Sequence, residues 1–385
     1  MQNLSHQDQC SCWPLSVHYF LYFSLLGTIL PYLALYLRSL DFSPAQIGEL
    51  LAVFMLTKVV APNLWGYFSD RSGRPIFWVR LATFLALLFA LGFFLWRSYW
   101  GLFAVLLLFS FFWHASLPQF ESYTFKQLGS AKHRYGQIRL WGSLGFIAAV
   151  LLFGWLFEQT GVALLPWVLS LLLLLVWGSS FLVKDQPNLH TPSIHRERFL
   201  TILRRPEVFA LLIASFLLQA SHGVYYSFFT IQMTGLGLSK TLTAWLWALG
   251  VLAEIAVFWW MAQLFIHFSV RKLILLAAAL SVVRWAITGQ LETSLAWLVF
   301  AQTLHAASFG LFHAGAIHLI DRYFTGAHHG KGQALFAASS HGLGGAIGML
   351  IAGYAWAAGG ASLSYALMSG LALLALGIAW RWVKE

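Results

Sequence analysis

Residues 163–183, ALLPWVLSLLLLLVWGSSFLV, form an apolar run without a charged side chain. A helix of about 20 such residues spans the hydrocarbon core of a bilayer. Comparable runs recur along the chain, so the sequence predicts an all-α membrane protein with twelve transmembrane helices. We number the runs as segments 1 to 12; they lie near residues 14–37, 44–66, 76–96, 100–125, 138–157, 163–183, 207–231, 241–266, 272–290, 294–319, 333–356 and 361–382.

The composition of the whole chain supports this class. Of its 385 residues, 59% are hydrophobic and 9% are charged, whereas a soluble domain has about 25% charged residues. The net charge of +10 would suit nucleic-acid binding, but most basic residues fall in loops on one side of the predicted membrane. Arg38, Arg97 and Lys240 fall on the other side. This asymmetry follows the positive-inside rule, so we predict a bacterial inner-membrane protein with both termini in the cytoplasm and no nucleic-acid partner.

A polar, basic stretch at residues 184–206 divides the chain. Six segments precede it and six follow it, which is typical of transporters built from two parallel halves. We therefore predict an N-terminal six-helix bundle at residues 1–183, a cytoplasmic linker at 184–206 and a C-terminal six-helix bundle at 207–385. Because the other loops are short, each helix is expected to pack beside its neighbours in sequence.

The loop after segment 2 reads GYFSDRSGR at residues 66–74. Gly66 is expected to end the helix, and Asp70 to cap a neighbouring helix or pair with a basic group. Arg71 and Arg74 suit anionic lipid headgroups. The pattern resembles the G-x3-D-R-x-G-R loop of the major facilitator superfamily. That resemblance implies a 6+6 major facilitator fold in which Gly66, Asp70, Arg71, Gly73 and Arg74 act as a conformational latch.

Ionisable side chains inside the predicted segments are candidates for function, because a charge in a membrane usually faces a cavity or a partner. Those in question are Lys58, Glu121, Arg139, Glu254 and Arg284. Glu121 and Arg139 each lie five residues from a basic residue. If those basic residues mark the interface, both charges lie at the same depth and form a salt bridge. The alternative is that Arg139 snorkels to the headgroups and Glu121 belongs to the loop.

Two stretches, PQFES at 118–122 and YGQIRLWGS at 135–143, resemble the phenylpropionate permease branch of the superfamily and the related lactose permease. The phenylpropionate permease branch and lactose permease both show Pro-x-x-acid followed by aromatic-Gly-x-x-Arg. The resemblance implies that Glu121 and Arg139 contact the substrate. With them we group Lys58 and Tyr22 as further substrate-site candidates.

The second half resembles the same branch in HGVYY, GVLAE, VRW and LHAASFGLFH, which begin at residues 222, 250, 283 and 304. The resemblance implies that Glu254, Arg284 and His305 couple protons to transport. Ser308 stands where lactose permease has a second glutamate. In segment 7, His222, Tyr225 and Tyr226 share one helical face and are predicted to line the substrate site.

These residues predict a proton-coupled symporter that works by alternating access. Glu254 lies among apolar residues, which favour its neutral form, so it can carry a proton. Arg284 would promote release of that proton and His305 would relay it. With Glu254 protonated, the site is slightly cationic. An aromatic carboxylate such as 3-phenylpropionate fits such a site; a sugar or nucleoside is the alternative.

Other functional classes are less well supported. Segment 5 lacks the proline of the superfamily's antiporter motif, and the chain has no H-E-x-x-H, G-x-S-x-G or Walker loop, so we predict no enzyme. Cys10 and Cys12 are too few ligands for a metal site, and no cofactor is expected. A transport-inactive sensor or a lipid flippase remains as an alternative. The expected partners are a small solute, protons and the bilayer, and the expected state is a monomer.

Overall fold

The computed structural model describes residues 12–185 and 199–385. Within them the regular structure is helical, and ten helices are long and apolar enough to cross a membrane. The helix Val270–Gln290 is a further long helix, and with it the described residues form eleven long helices. In chain order they are α1 (Trp13–Ser39), α2 (Pro44–Ser72), α3 (Pro75–Leu95), α4 (Tyr99–Leu128), α5 (Tyr135–Thr160), α6 (Val162–Leu182), α7 (Pro206–Gly235), α8 (Lys240–His267), α9 (Val270–Gln290), α10 (Leu295–Tyr323) and α11 (His329–Trp382). A short helix, Phe199–Leu203, precedes α7. Cys10 and residues 186–198 of the predicted linker lie outside the described residues.

Local sequence signals set several helix boundaries. Ser43 and Gln46 form a capping box at the start of α2, and Ser98, Ser239 and Ser269 each accept a backbone N–H at the starts of α4, α8 and α9. Such caps satisfy amides that have no partner within the helix. α11 is divided into two arms by non-helical backbone at Gly359–Gly360.

The predicted end of segment 2 is wrong. α2 continues past Gly66 to Ser72, and Gly73 ends it in the left-handed conformation, with φ of 66°, which glycine adopts without a steric penalty. Gly66 instead lies where α2 approaches α4, because a Cβ there would stand 3.2 Å from Nε2 of Gln119.

In each half, three equivalent contacts hold the last residues at one end of the bundle. They are made by an arginine guanidinium, by a backbone amide at the start of a helix and by a tyrosine hydroxyl. The contacts are Arg80 to Val183, Ile76 to Asp185 and Tyr123 to Lys184 in the first half, and Arg271 to Val383, Val270 to Glu385 and Tyr323 to Lys384 in the second. The tripeptides held are VKD at residues 183–185 and VKE at residues 383–385, a repeat too short to stand out in the sequence. We call this side of the bundle the linker end and the other side the opposite end.

Helices do not always pack beside their neighbours in sequence, so that expectation is wrong. α5 packs mainly against α1, α4 packs against α2 and α3, and α4 and α5 barely touch. The halves meet through α2 with α11, α5 with α8 and α1 with α7. Glycines allow close approach within each half, because a Cβ at Gly145 would stand 2.1 Å from the Phe20 carbonyl oxygen and one at Gly348 would stand 2.2 Å from that of Ala220.

Gly348→Ala should therefore lower the thermal stability of the detergent-solubilised protein. The added methyl group would force α7 and α11 apart, and overpacking of this kind costs about 1–3 kcal/mol. Gly370→Ala is the matched control, because no atom beyond its chain neighbours and its own helix backbone lies within 4 Å of its Cβ position. Thermal unfolding would compare the two variants, and equal melting temperatures would contradict the prediction.

The halves are held together at the opposite end by carboxylates of the first half. Glu49 accepts hydrogen bonds from Tyr99 (2.7 Å) and, across the interface, from Tyr354 (2.5 Å). Glu158 accepts the backbone amide of Lys240 at the start of α8. These bonds close the opposite end in this conformation.

Glu49→Ala should loosen this closure, because it removes the bond to Tyr354 that joins the halves. A pair of spin labels placed across the interface at the opposite end should then show a larger population at long distance. Glu292→Ala serves as the control, since Glu292 accepts its bond from Gln232 within the same half. Identical distance distributions for wild type and Glu49→Ala would show that the bond does not hold the closure.

Candidate functional site

Three residues predicted for proton coupling form a line in the second half. Nη1 of Arg284, on α9, donates to Nδ1 of His305 on α10 (2.9 Å) and to Oγ of Ser308 (2.8 Å). Because a guanidinium has only donors, Nδ1 of His305 accepts, and its Nε2 carries the hydrogen. That Nε2 lies 3.7 Å from Oε2 of Glu254 on α8. The arrangement therefore connects a charged guanidinium to a carboxyl through one imidazole.

Arg284 is fully buried between two aromatic rings. Its guanidinium carbon lies 4.4 Å from the ring centres of both Tyr225 and Trp285, a cation–π arrangement. Tyr225 is fixed in turn, because its hydroxyl donates to Gln302 (3.0 Å). Nε and Nη2 of Arg284 have no hydrogen-bond partner among the described residues. Tyr225 thus lies beneath Arg284 and positions it.

The predicted salt bridge between Glu121 and Arg139 is not formed, which corrects the expectation. The guanidinium carbon of Arg139 lies 3.8 Å from the ring centre of Phe23 on α1, and Glu121 accepts a hydrogen bond from Tyr135 (3.3 Å). The reason is that α5 packs against α1 rather than against α4. Arg139 is nevertheless close enough to Glu121 and, across the interface, to Glu254 for their charges to interact.

Of the other residues predicted for the substrate site, some lie at the interface between the halves and some are buried in the core. Lys58 is half-buried on α2 beside Gly342 of α11, and no described residue forms an ion pair with it. Tyr226 is half-buried and stacks on His222, with ring centres 5.7 Å apart. Tyr22 is buried, and its ring stacks on Trp113, with ring centres 5.1 Å apart. Lys58 and Tyr226 are thus the more accessible of these candidates.

The loop predicted to be a latch lies exposed at the linker end. Asp70, Arg71 and Arg74 are exposed, and Arg71 donates to the hydroxyl of Tyr67 at 3.4 Å. Asp70 does not cap α3, because the first free amide of α3 bonds to Asp185 instead. The role of Asp70 in switching remains a prediction.

Several residues that hold the site together have only weak signals in the sequence. The sequence does not predict Phe23, Tyr135 and Gln302, or Gln219, whose Oε1 lies 3.1 Å from Nδ1 of His341 on α11. Tyr135 precedes Arg139 by one helical turn, a spacing that places both on one face. Phe23 and the two glutamines lie on other helices, so no spacing in the sequence relates them to their partners.

The chain is similar to known membrane transporters. A model of the MFS_1 like family matches residues 12–367. A probable 3-phenylpropionic acid transporter of Escherichia coli (strain K12) is 31% identical over 326 residues, covering 81% of this chain and 82% of the relative. The maltose permease of Geobacillus stearothermophilus is 30% identical over 371 residues, covering 93% and 92%.

A solved structure has the same fold. A variant of the nucleoside transporter NupG superimposes with a TM-score of 0.85 at 15% identity, covering 97% of this chain and 100% of that one. At this identity the likeness concerns the arrangement of helices alone.

Proposed function

The chain belongs to the MFS_1 like family and is a multi-pass membrane transporter of the major facilitator superfamily rather than an enzyme, and on that premise we propose that it is a proton-coupled symporter. Its best substrate is a small aromatic carboxylate such as 3-phenylpropionate. The observation that carries the proposal is the line from Arg284 through His305 to Glu254. In this proposal, the carboxyl that exchanges the proton is linked to a fixed cation through one imidazole.

In the proposed cycle, Glu254 takes up a proton on one side of the membrane and releases it on the other. His305 presents its Nε2 hydrogen to Glu254 and stabilises the carboxylate after release. Nε and Nη2 of Arg284 are donors without partners among the described residues, so they can hold that carboxylate when the halves rearrange. Closure at the opposite end through Glu49 and Glu158 gives one of the two states that alternating access requires.

The nature of the substrate follows from the charges at the interface. Lys58 and Arg139 contribute two cations, and Phe23 and Tyr226 contribute aromatic surface. A carboxylate would bind the cations and a ring would lie against the aromatic side chains. The similarity to the Escherichia coli 3-phenylpropionic acid transporter supports this class.

A sugar or nucleoside is the second candidate. Glu121 is held by Tyr135 and faces Arg139 without an ion pair, so both groups are available to bind hydroxyls. The 30% identity to the Geobacillus stearothermophilus maltose permease favours this alternative.

We also propose the finer architecture. Counting the two arms of α11 separately and including α9 gives twelve spans, divided into bundles at residues 1–183 and 207–385 with a linker at 184–206. Both termini would lie in the cytoplasm of a bacterium, the protein would be a monomer in the inner membrane, and the loop from Gly66 to Arg74 would act as the latch.

Uptake into vesicles tests this function. Labelled 3-phenylpropionate, maltose and uridine are each supplied with and without an inward proton gradient. We expect the gradient to stimulate uptake of 3-phenylpropionate. Stimulated uptake of maltose or uridine instead would select the second candidate, and no stimulation of any of them would contradict the proposed symport of these solutes.

A further inference from the structure

A second group of histidines, His313 and His341, lies on the side of Phe309 that faces away from His305 and Glu254. His305, Phe309 and His313 of α10 stack with nearly parallel rings, whose centres are 5.6 and 5.8 Å apart. Nδ1 of His313 lies 3.4 Å from Nε2 of His341 on α11. Both helices contain a π-helical turn here, Ala306–Leu311 and Ala338–Gly344, and such turns often mark functional sites because they change which face the side chains occupy.

The hydrogen-bond partners fix the proton positions in this pair. Nδ1 of His341 lies 3.1 Å from Oε1 of Gln219 on α7. An amide oxygen only accepts, so Nδ1 of His341 donates and its Nε2 is left to accept from Nδ1 of His313. Nε2 of His313 is then the basic nitrogen of the pair. Two neutral rings joined in this way can together take up one proton.

The pair borders a small cavity that is polar on several sides. Its wall includes Ser308, Ser340 and His222, and its volume of about 10 Å³ is enough for the centre of one water molecule. His222 donates its Nδ1 hydrogen to the Leu218 carbonyl (2.8 Å). Its Nε2 is therefore a bare acceptor, buried and without a partner among the described residues. A water here would link the histidine pair to Ser308, which already bonds to Arg284.

The charges that face the pair come from the other half of the protein. Arg139 on α5 faces His313, and Lys58 on α2 faces His341 together with the neutral rings of His313 and His222. A Cβ at Gly342, next to His341, would stand 3.5 Å from the backbone of Lys58. Burial of the two rings and, after it, these two cations oppose a positive charge on the pair.

We propose that His313 and His341 form a second proton-binding site, separate from Glu254, whose occupancy follows the charge of the substrate. An anion held between Lys58 and Arg139 would cancel their field and allow the pair to bind a proton. When the anion leaves, the same two cations would expel that proton. The part played by the substrate rests on the function proposed above, whereas the proton site and its control by Lys58 do not.

A titration of the purified full-length protein tests the site without any substrate. Protein labelled with 15N-histidine is titrated by NMR as wild type, His313→Gln, His341→Gln and Lys58→Met. We expect one titrating group to disappear in both histidine variants, because the pair shares a single proton. In Lys58→Met its midpoint should rise by about one pH unit, since a nearby cation has been removed.

His318→Gln is the matched control, because His318 lies on the same helix but is exposed and packs against Phe265. It should retain the titrating group. If a glutamine variant aggregates in detergent, the asparagine variant at the same position replaces it. Wild-type titration in both histidine variants would overturn the proton site, and an unchanged midpoint in Lys58→Met would overturn its control by charge. Failure of the proposed symport would appear separately, in the vesicle assay, as substrate uptake that is the same with and without the proton gradient.

Discussion

Glu254→Gln should abolish accumulation of substrate against its gradient while leaving exchange of substrate across the membrane intact. Glutamine keeps the shape of the side chain beside His305 but cannot carry a proton. An inward gradient of two pH units can drive about a 100-fold accumulation at one proton per substrate, and in the variant this ratio should fall to about one. Exchange does not require deprotonation, so it should continue.

Vesicles loaded with unlabelled substrate measure exchange, and energised vesicles measure accumulation. Glu292→Gln is a suitable control, because it also alters a carboxylate of the second half but lies at the opposite end with Gln232. Full accumulation by Glu254→Gln would rule out Glu254 as the proton carrier. Loss of both activities together would point to a role in substrate binding.

Arg139→Gln should raise the KM for an anionic substrate by about 30-fold or more. Removal of one partner of a buried charged hydrogen bond costs about 2–5 kcal/mol, and about 1.4 kcal/mol corresponds to tenfold. Arg139 stands near both Glu121 and Glu254, so its loss also leaves the interface more negative and repels an anion. Uptake kinetics at several substrate concentrations would measure the change.

Arg139→Lys should give an intermediate KM, because lysine keeps the charge but lacks the planar group that stacks on Phe23. Arg134→Gln provides the control, since Arg134 lies just before α5 begins. If Arg139 serves only as an anchor at the headgroups, Arg139→Gln would reduce the amount of protein in the membrane and leave KM unchanged.

Much of the fold could be predicted from the sequence, because hydropathy acts on each segment separately. Apolar runs of sufficient length predicted the helices, and the GYFSDRSGR loop together with the paired motifs indicated the family to which the chain belongs. The expected end of α2 at Gly66 is wrong, because a glycine by itself does not end a helix. A glycine stops a helix where the backbone turns left-handed, as at Gly73, whereas Gly66 stays helical and borders the side chain of Gln119 on α4.

The candidate residues could be named from the sequence, but several of their partners could not. The spacing of Glu121 and Arg139 from nearby basic residues predicts their depth in the membrane, and their equal depth suggested that they would pair. The tertiary structure instead places Phe23 beneath Arg139 and Tyr135 beside Glu121, because α1 rather than α4 is the neighbour of α5.

The sequence by itself determined that this protein is a helical membrane transporter with charges inside its helices, since the cost of exposing polar groups to lipid constrains every segment separately. Only the tertiary structure decided that Arg284, His305 and Glu254 form a line and that His313 meets His341. Such contacts depend on how each helix is rotated and which helices are neighbours. Two π-helical turns alter that rotation locally, and the regular spacing of residues in a sequence carries no information about them.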